Sequence, residues 1–286
     1  MNCLTLDVGN SQLAFVIYAG QQRLKTVRMA TRPYPSTREL LEICRALLAE
    51  FELPLGSLHF SVSSVVPDLR AVLAETAKKL DAQTFHWVDW GSPHPFQASA
   101  SARSEIGADI IAGLVGATLY CQPPFAVVDC GTATTLTLVD ENHMILGVTI
   151  LPGLLTQMQS LTRSAPHLPQ DVSLEPPPMP FGNTTEESLQ SGILYGHAAS
   201  IEGLLARFQA LFPQAKVRAL ACGGLFHRIE SLCPSIDFIV PDLVNIGCKT
   251  LAAKRIPPSL AGTSSQAVGP APAARGNDDK ARAGGV

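Results

Sequence analysis

Three short apolar runs open the chain, at residues 3–6, 13–18 and 24–29, with polar breaks at 7–12 and 19–20. Runs of that length between turn residues predict a meander of three strands. Over residues 38–51 the apolar positions switch to helical spacing, with Leu40, Leu41, Ile43, Cys44, Leu47 and Leu48 on one side. A strand at 59–65, a helix at 67–79 and a strand at 84–88 follow. Residues 89–103, with Gly91, Pro93, Pro95 and several Ser and Ala, read as loop, and 108–119 as a buried helix. Beyond Pro123 and Pro124 the meander returns, with strands at 125–128, 134–139 and 144–150 and a polar break at 129–133. Helices are predicted at 153–161 and 185–208, where Glu186 and Glu187 suit the positive end of the helix dipole. The intervening 166–180 is proline-rich, and 174–180 cannot be helix. A strand at 217–221, a helical segment at 225–232, a short strand at 238–240 and a helix at 243–253 complete the pattern. Residues 257–286 are rich in Ala, Gly, Ser and Pro, without aromatics, which predicts a disordered tail.

Each meander carries the same polar break. Asp7, Val8, Gly9, Asn10 and Ser11 follow the first strand; Asp129, Cys130, Gly131, Thr132 and Ala133 follow the equivalent strand 122 positions later. Such a repeat predicts two similar domains facing each other, at 1–115 and 116–256, and its spacing excludes a solenoid. A turn with an acid at its start and a glycine two residues on exposes N–H groups that cradle phosphate oxygens. An aspartate at a strand end can hold Mg²⁺, directly or through water. One such turn is an ordinary hairpin feature; two at equivalent places point to a nucleotide. The pair resembles the sugar kinase, heat-shock ATPase and actin superfamily. That resemblance implies an α/β fold of two actin-like (ribonuclease H-like) domains whose loops grip nucleotide phosphates and metal in a cleft.

Other residues leave two readings open. Asp109, after Gly107 and Ala108, is either the N-cap carboxylate of its helix or a general base for a substrate hydroxyl. Gly223 and Gly224 either form a plain turn or let the backbone pass close to a flat ligand such as adenine. Thr184 and Thr185 either cap the following helix or reach a substrate. Gly147, Pro152 and Gly153 either shape a loop by the cleft or form a simple turn.

Composition narrows the function classes. With 21 Lys+Arg against 24 Asp+Glu, the net charge is −3, which lacks the bulk positive field of non-specific nucleic-acid binding. Seven cysteines with no C-x-x-C spacing sit mostly in apolar stretches and read as reduced thiols, neither a disulfide framework nor a zinc site. The longest apolar run, residues 110–121, is shorter than the ~20 residues needed to span a bilayer. The N-terminus has no secretory-signal pattern. A soluble, cytoplasmic protein is expected, with no membrane or nucleic-acid partner.

The ordered set of motifs at residues 7–11, 107–109, 129–135, 151–154, 163–169, 185–192 and 223–224 resembles type III pantothenate kinase over about residues 1–253. The resemblance implies a homodimer that uses ATP, Mg²⁺ and a monovalent cation (K⁺ or NH₄⁺) to convert pantothenate to 4′-phosphopantothenate, the first step of coenzyme A synthesis. It also implies site roles. Asp7, Val8, Gly9, Asn10, Ser11, Gln12, Leu13 and Ala14 would wrap the phosphates, with Asp7 on Mg²⁺. Thr132, Gly223 and Gly224 would contact ATP, and Asp129 would hold the monovalent cation. Gly107, Ala108, Asp109, Ile110 and Thr185 would line the pantothenate site, with Asp109 as base. Two departures stand out. The family reads Gly-x-Asp-Arg where this chain has Ile110, so a charged fork is missing; Arg103 and Arg163 are candidate substitutes. Many members carry a Tyr where this chain has Ala100, and 98–103 looks unlike a fixed substrate wall. The alternatives are a catalytically weakened member acting as a regulatory accessory protein, or another small-molecule kinase of the superfamily.

Overall fold

A computed structural model describes residues 1–255 of the chain; the predicted tail at 257–286 lies outside the described residues. The first meander forms β1 (Asn2–Val8), β2 (Gln12–Ala19) and β3 (Gln22–Ala30), paired antiparallel. Helix α1 (Thr37–Glu50) follows, then β4 (Leu58–Ser64), α2 (Arg70–Lys79) and β5 (Thr84–Trp87). β4 lies parallel to β1 and β5 parallel to β4, which gives the order β3-β2-β1-β4-β5. After α3 (Ala100–Arg103) and α4 (Ala108–Ala117), the scheme repeats with β6 (Phe125–Cys130), β7 (Ala133–Val139) and β8 (Ile145–Pro152). Helices α5 (Leu154–Ser164) and α6 (Thr185–Ala210) precede β9 (Arg218–Cys222), β10 (Phe238–Ile239) and α7 (Leu243–Arg255). The second sheet runs β10-β9-β6-β7-β8. Read from its other edge, this is the first sheet's order, so the duplication read from two short motifs extends to whole sheets.

Side-chain alternation sets the layers. In the first sheet Leu4, Leu6, Val8, Leu13, Phe15, Ile17, Leu58, Phe60 and Val62 face α1 and α2. Helix α1 starts on a capping box, Ser36 with Glu39, and buries Leu40, Leu41, Cys44, Leu47 and Leu48. The opposite face presents Cys3, Val16 and Tyr18, packed with Ala252 of α7. Helices α4 and α7 lie between the two sheets, sharing a core with Phe125, Val127 and Leu220 of the second. The far face of the second sheet packs on α5 and α6. Helices α4 and α7 cross closely because glycine faces backbone at two points. A Cβ on Gly247 would lie 1.7 Å from the Ala112 carbonyl oxygen, and one on Gly116 2.5 Å from that of Leu243.

The structure corrects three local expectations. Residues 100–103 are helix rather than loop, started by Ser99, whose hydroxyl accepts from the Ala102 N–H at 3.2 Å. The segment at 225–232 is two 3₁₀ turns rather than one helix. Asp7 and Asp129 belong to the ends of β1 and β6 rather than to the turns that follow. All seven cysteines are free thiols, and six are buried.

Candidate active site

Three carboxylates converge where the two halves meet. Asp7 and Asp129 occupy equivalent places near the ends of the two central strands, and Asp109 lies in the first turn of α4. All three are half-buried, and no ion pair among the described residues includes any of them. Burial raises the Asp7 carboxyl well above its ordinary range; the charges of Asp129 and Asp109 add to the effect and Arg28 opposes it. Burial likewise pushes Asp129 up to about 6, reinforced by Asp109 and opposed by a hydrogen bond from Cys222. Asp109 is raised by burial and held back by backbone N–H groups. Uncompensated carboxylates of this kind favour a proton or a cation.

Asp109 is not the N-cap. That place belongs to Gly107, and an oxygen of Asp109 instead accepts from the Ile110 N–H at 2.8 Å. A Cβ on Gly107 would lie 2.4 Å from the same oxygen, so glycine there makes room for the folded-back carboxylate. A small cavity runs from Asp109 and Ile110 past Gly113 to Asp129, Cys222 and Val244. Cys222 sits opposite Asp129 in the β6–β9 register.

The two loops face each other across this cleft: the hydroxyls of Ser11 and Thr132 are 2.7 Å apart. Each loop is closed by a bond from its glycine, Gly9 N–H to the Gln12 carbonyl three residues on and Gly131 N–H to the Ala133 carbonyl two residues on, both 3.0 Å. Asn10, Ser11, Gln12 and Thr132 are exposed, whereas Val8 and Leu13 are fully buried and Ala14 nearly so. The side chains of those last three anchor the first loop from below. Behind the second loop, the Thr132 carbonyl accepts from the Gly153 N–H at 3.0 Å and the Thr156 hydroxyl at 2.6 Å. Gly153 is pressed so close that a Cβ would lie 2.2 Å from the Gly131 oxygen. Gly223 has φ +90°, and a Cβ there would meet the Cys130 backbone at 2.4 Å. Gly224 is exposed, with open space in front of it.

Other expected residues fall as follows. Thr184 caps α6 by accepting from the Glu187 N–H at 3.1 Å, while Thr185 is exposed at the first turn and does not line the cavity. Ile110 is half-buried against the core between the sheets. Arg103 is committed elsewhere, donating to the Ala98 carbonyl at 3.1 Å with its guanidinium over Trp90. Arg163 is exposed at the end of α5. Sequence reading missed Cys222 and Thr156. The strand-end place of Cys222, one residue before Gly223, was the available signal; for Thr156 there was none.

Residues 3–207 match the family described as type III pantothenate kinase. The chain belongs to the type III pantothenate kinase family. A type III pantothenate kinase from Rubrobacter xylanophilus is 33% identical over 255 residues, covering 87% of this chain and 97% of the relative. One from Thermus thermophilus is 30% identical over 257 residues, covering 88% and 99%. Among solved structures, a Listeria monocytogenes protein provisionally named as an N-acetylmannosamine kinase aligns with TM-score 0.51 at 11% identity, covering 89% of this chain and 99% of the other. A Campylobacter jejuni protein provisionally named as a Baf-family transcriptional activator aligns with TM-score 0.50 at 19% identity, covering 88% and 98%. At these identities the alignments carry the fold alone, two mixed sheets with helices between and around them. No helix among the described residues is long and apolar enough to cross a membrane.

Proposed function

We propose that this type III pantothenate kinase family member transfers the γ-phosphoryl group of ATP to the primary hydroxyl of pantothenate, giving 4′-phosphopantothenate. The observation that carries the reading is the set of three carboxylates that form no ion pair among the described residues, placed between two duplicated phosphate-type loops that touch through Ser11 and Thr132. In this reading Gly9 and the exposed tips, residues 10–12 and Thr132, surround the phosphates, and Gly224 leaves room for the base. Asp109 orients the acceptor hydroxyl and takes its proton; a raised pKa moves a carboxylate toward the useful range for such a base. Catalysis then rests on positioning and on charge stabilisation at the transferring group.

The donor set fits the two cations the reaction class calls for. No three His, Cys, Asp or Glu side chains among the described residues form a metal cage. Mg²⁺ is commonly held by one or two carboxylates together with substrate phosphates, and Asp7 beside the first loop supplies one. Asp129 is the carboxylate for a monovalent cation. When bound, these ions neutralise phosphate charge. Thr185 contacts pantothenate in this reading, at a site shared with a second copy of the chain. Leu146 and Ile150 on β8, and Leu155 and Leu161 on α5, are exposed apolar residues that suit such a homodimer.

The test is direct. Purified protein with ATP, Mg²⁺, K⁺ and pantothenate is expected to give 4′-phosphopantothenate by mass spectrometry, and much less without K⁺. Asp109→Asn is expected to lower kcat at least ~100-fold, the usual scale of a general base, with no loss of melting temperature. Near-normal turnover of that variant would reject the base assignment. A folded protein without product across several cations would reject the activity.

A further inference from the structure

The long helix α6 is fastened to the second loop through one buried histidine. His197, 3% exposed, stands 12 residues along α6 from Thr185, or ~18 Å at the usual helical rise. Its Nε2 lies 3.0 Å from the Thr134 hydroxyl on β7, two residues beyond Thr132. Its Nδ1 lies 2.7 Å from Nε2 of Gln157 on α5. Gln157 Nε2 is also 2.8 Å from the Pro152 carbonyl. A carbonyl can only accept, so the amide must turn its NH₂ group that way, and its second hydrogen meets the histidine. Nδ1 is therefore the acceptor and Nε2–H the donor to Thr134. The network fixes one neutral tautomer, Nε2–H.

That tautomer joins two pieces of the site. Gln157 sits one turn after Gly153 and next to Thr156, the two residues that grip the Thr132 carbonyl. Thr134 belongs to the strand that carries the loop. We propose that His197 is a positioning residue that, in its neutral Nε2–H form, couples the nucleotide loop at 131–132 to α6, whose first turn carries Thr185. The substrate labels rest on the kinase reading above; the mechanical coupling does not.

A proton on Nδ1 would point at the Gln157 NH₂ group and open the joint, so the coupling fails in acid. No charged side chain adds to or opposes the effect of burial on this ring. β7 and β8 carry no titratable side chain, and on α6 the neighbours one turn away are Ile193, Leu194, Ser200 and Ile201. β6 contributes Asp129 and Cys130, α5 only the exposed Arg163, and the adjacent 3₁₀ turn Glu230. The proline-rich loop over α6 contributes His167, Asp171 and Glu175. Burial is the one resolved influence on the ring, and it keeps the ring neutral.

The experiment uses the full chain and three forms: wild type, His197→Ala and His197→Gln. A glutamine amide can accept with its oxygen and donate with its nitrogen, which copies the neutral tautomer without titrating. Expected for His197→Ala is a rise of ~10-fold in KM for both ATP and pantothenate, the effect of losing about one net hydrogen bond. His197→Gln should stay within ~3-fold of wild type near pH 7.5 and lose the acid limb of the KM profile. Nitrogen-15 histidine spectra of the ligand-free wild type should show one ring as the Nε2–H tautomer, still neutral below pH 6.5 and absent from His197→Gln. Were the wild type to make no product, the kinase reading would fail alone; the spectra and calorimetric binding of a non-hydrolysable ATP analogue would still decide the coupling. A ring in the Nδ1–H form, or an alanine variant with unchanged nucleotide affinity and KM values, overturns the proposal.

Discussion

At the residue scale, Asp129 sits where an ionised carboxylate is disfavoured. Its pKa of about 6 means that the folded, ligand-free chain carries an uncompensated charge at neutral pH. A group raised in the folded state contributes stability below its unfolded pKa, near 3.9, and loses that contribution as pH rises through about 6. Asp129→Asn is therefore expected to raise the melting temperature of the ligand-free protein at pH 7.5 by ~2–4 °C, equivalent to ~1 kcal/mol after allowance for solvent screening. The gain should vanish at pH 4, and turnover and K⁺ response should be lost; an unchanged or lower melting temperature at pH 7.5 would contradict the burial argument. Ile110 is the converse case, an apolar residue at a charged place. Arg103 is tied to Ala98 and Trp90, so it does not stand in for the missing guanidinium. Ile110→Arg should raise kcat/KM by one to two powers of ten, the worth of a charge-assisted bond of ~1.5–3 kcal/mol. It should cost ~1 kcal/mol in stability for the lost half-buried side chain. A kcat/KM that stays put would mean that Ile110 is no defect. The three acids were legible in the sequence because each lies at the end of a recognisable strand or in the first turn of a helix. The thiol of Cys222 had only its place one residue before Gly223 to mark it, and its nearness to Asp129 comes from strand register.

At the element scale, the cleft depends on glycines that accept no side chain. Gly223 holds φ +90° with the Cys130 backbone 2.4 Å from where a Cβ would sit. Gly223→Ala should cost ~3 kcal/mol, from left-handed strain plus the clash, read by urea unfolding. Gly224→Ala, next door with open space and no positive φ, should cost under ~1 kcal/mol. Equal losses at the two positions would refute the argument from backbone contact. Periodicity predicted most elements, because nearly every strand and helix has one face in a core cluster and therefore repeats at 2.0 or 3.6 residues. It failed where that condition fails. Helix α3 spans four residues with none buried, and the Ser99 cap rather than an apolar face starts it. In the segment at 225–232, Phe226 and Ile229 are buried, and their three-residue spacing serves successive 3₁₀ turns as well as an α-helix.

At the scale of the whole molecule, the duplication was readable from two five-residue motifs, but the path of α7 was not. Nothing local tells a helix which of two sheets to cover. Tertiary contacts decide it, and they are polar as well as apolar. Asp242, 4% exposed just before α7, holds Arg23 and Arg28 of β3, the latter at 2.6 Å, and accepts from the Thr26 hydroxyl at 3.2 Å. One turn on, Asn245 accepts from Thr5 of β1 at 2.8 Å. A helix that follows the second sheet is thereby bound to the first, while its Val244 lines the cleft. Asp242→Ala should therefore loosen the joint between the halves. The arginines, 58% and 37% exposed, can turn to water, so the loss should fall short of the 3–5 kcal/mol of a broken fully buried pair, at ~2 kcal/mol. Arg23→Ala should cost under ~1 kcal/mol, since Asp242 keeps Arg28 and Thr26. Hydrogen exchange separates the joint from general weakening: α7 amides of Asp242→Ala should exchange ~30-fold faster, matching ~2 kcal/mol, while those of α1 change little. Uniform acceleration over α1 and α7 would show that Asp242 supports the whole fold and that the two halves do not open along α7.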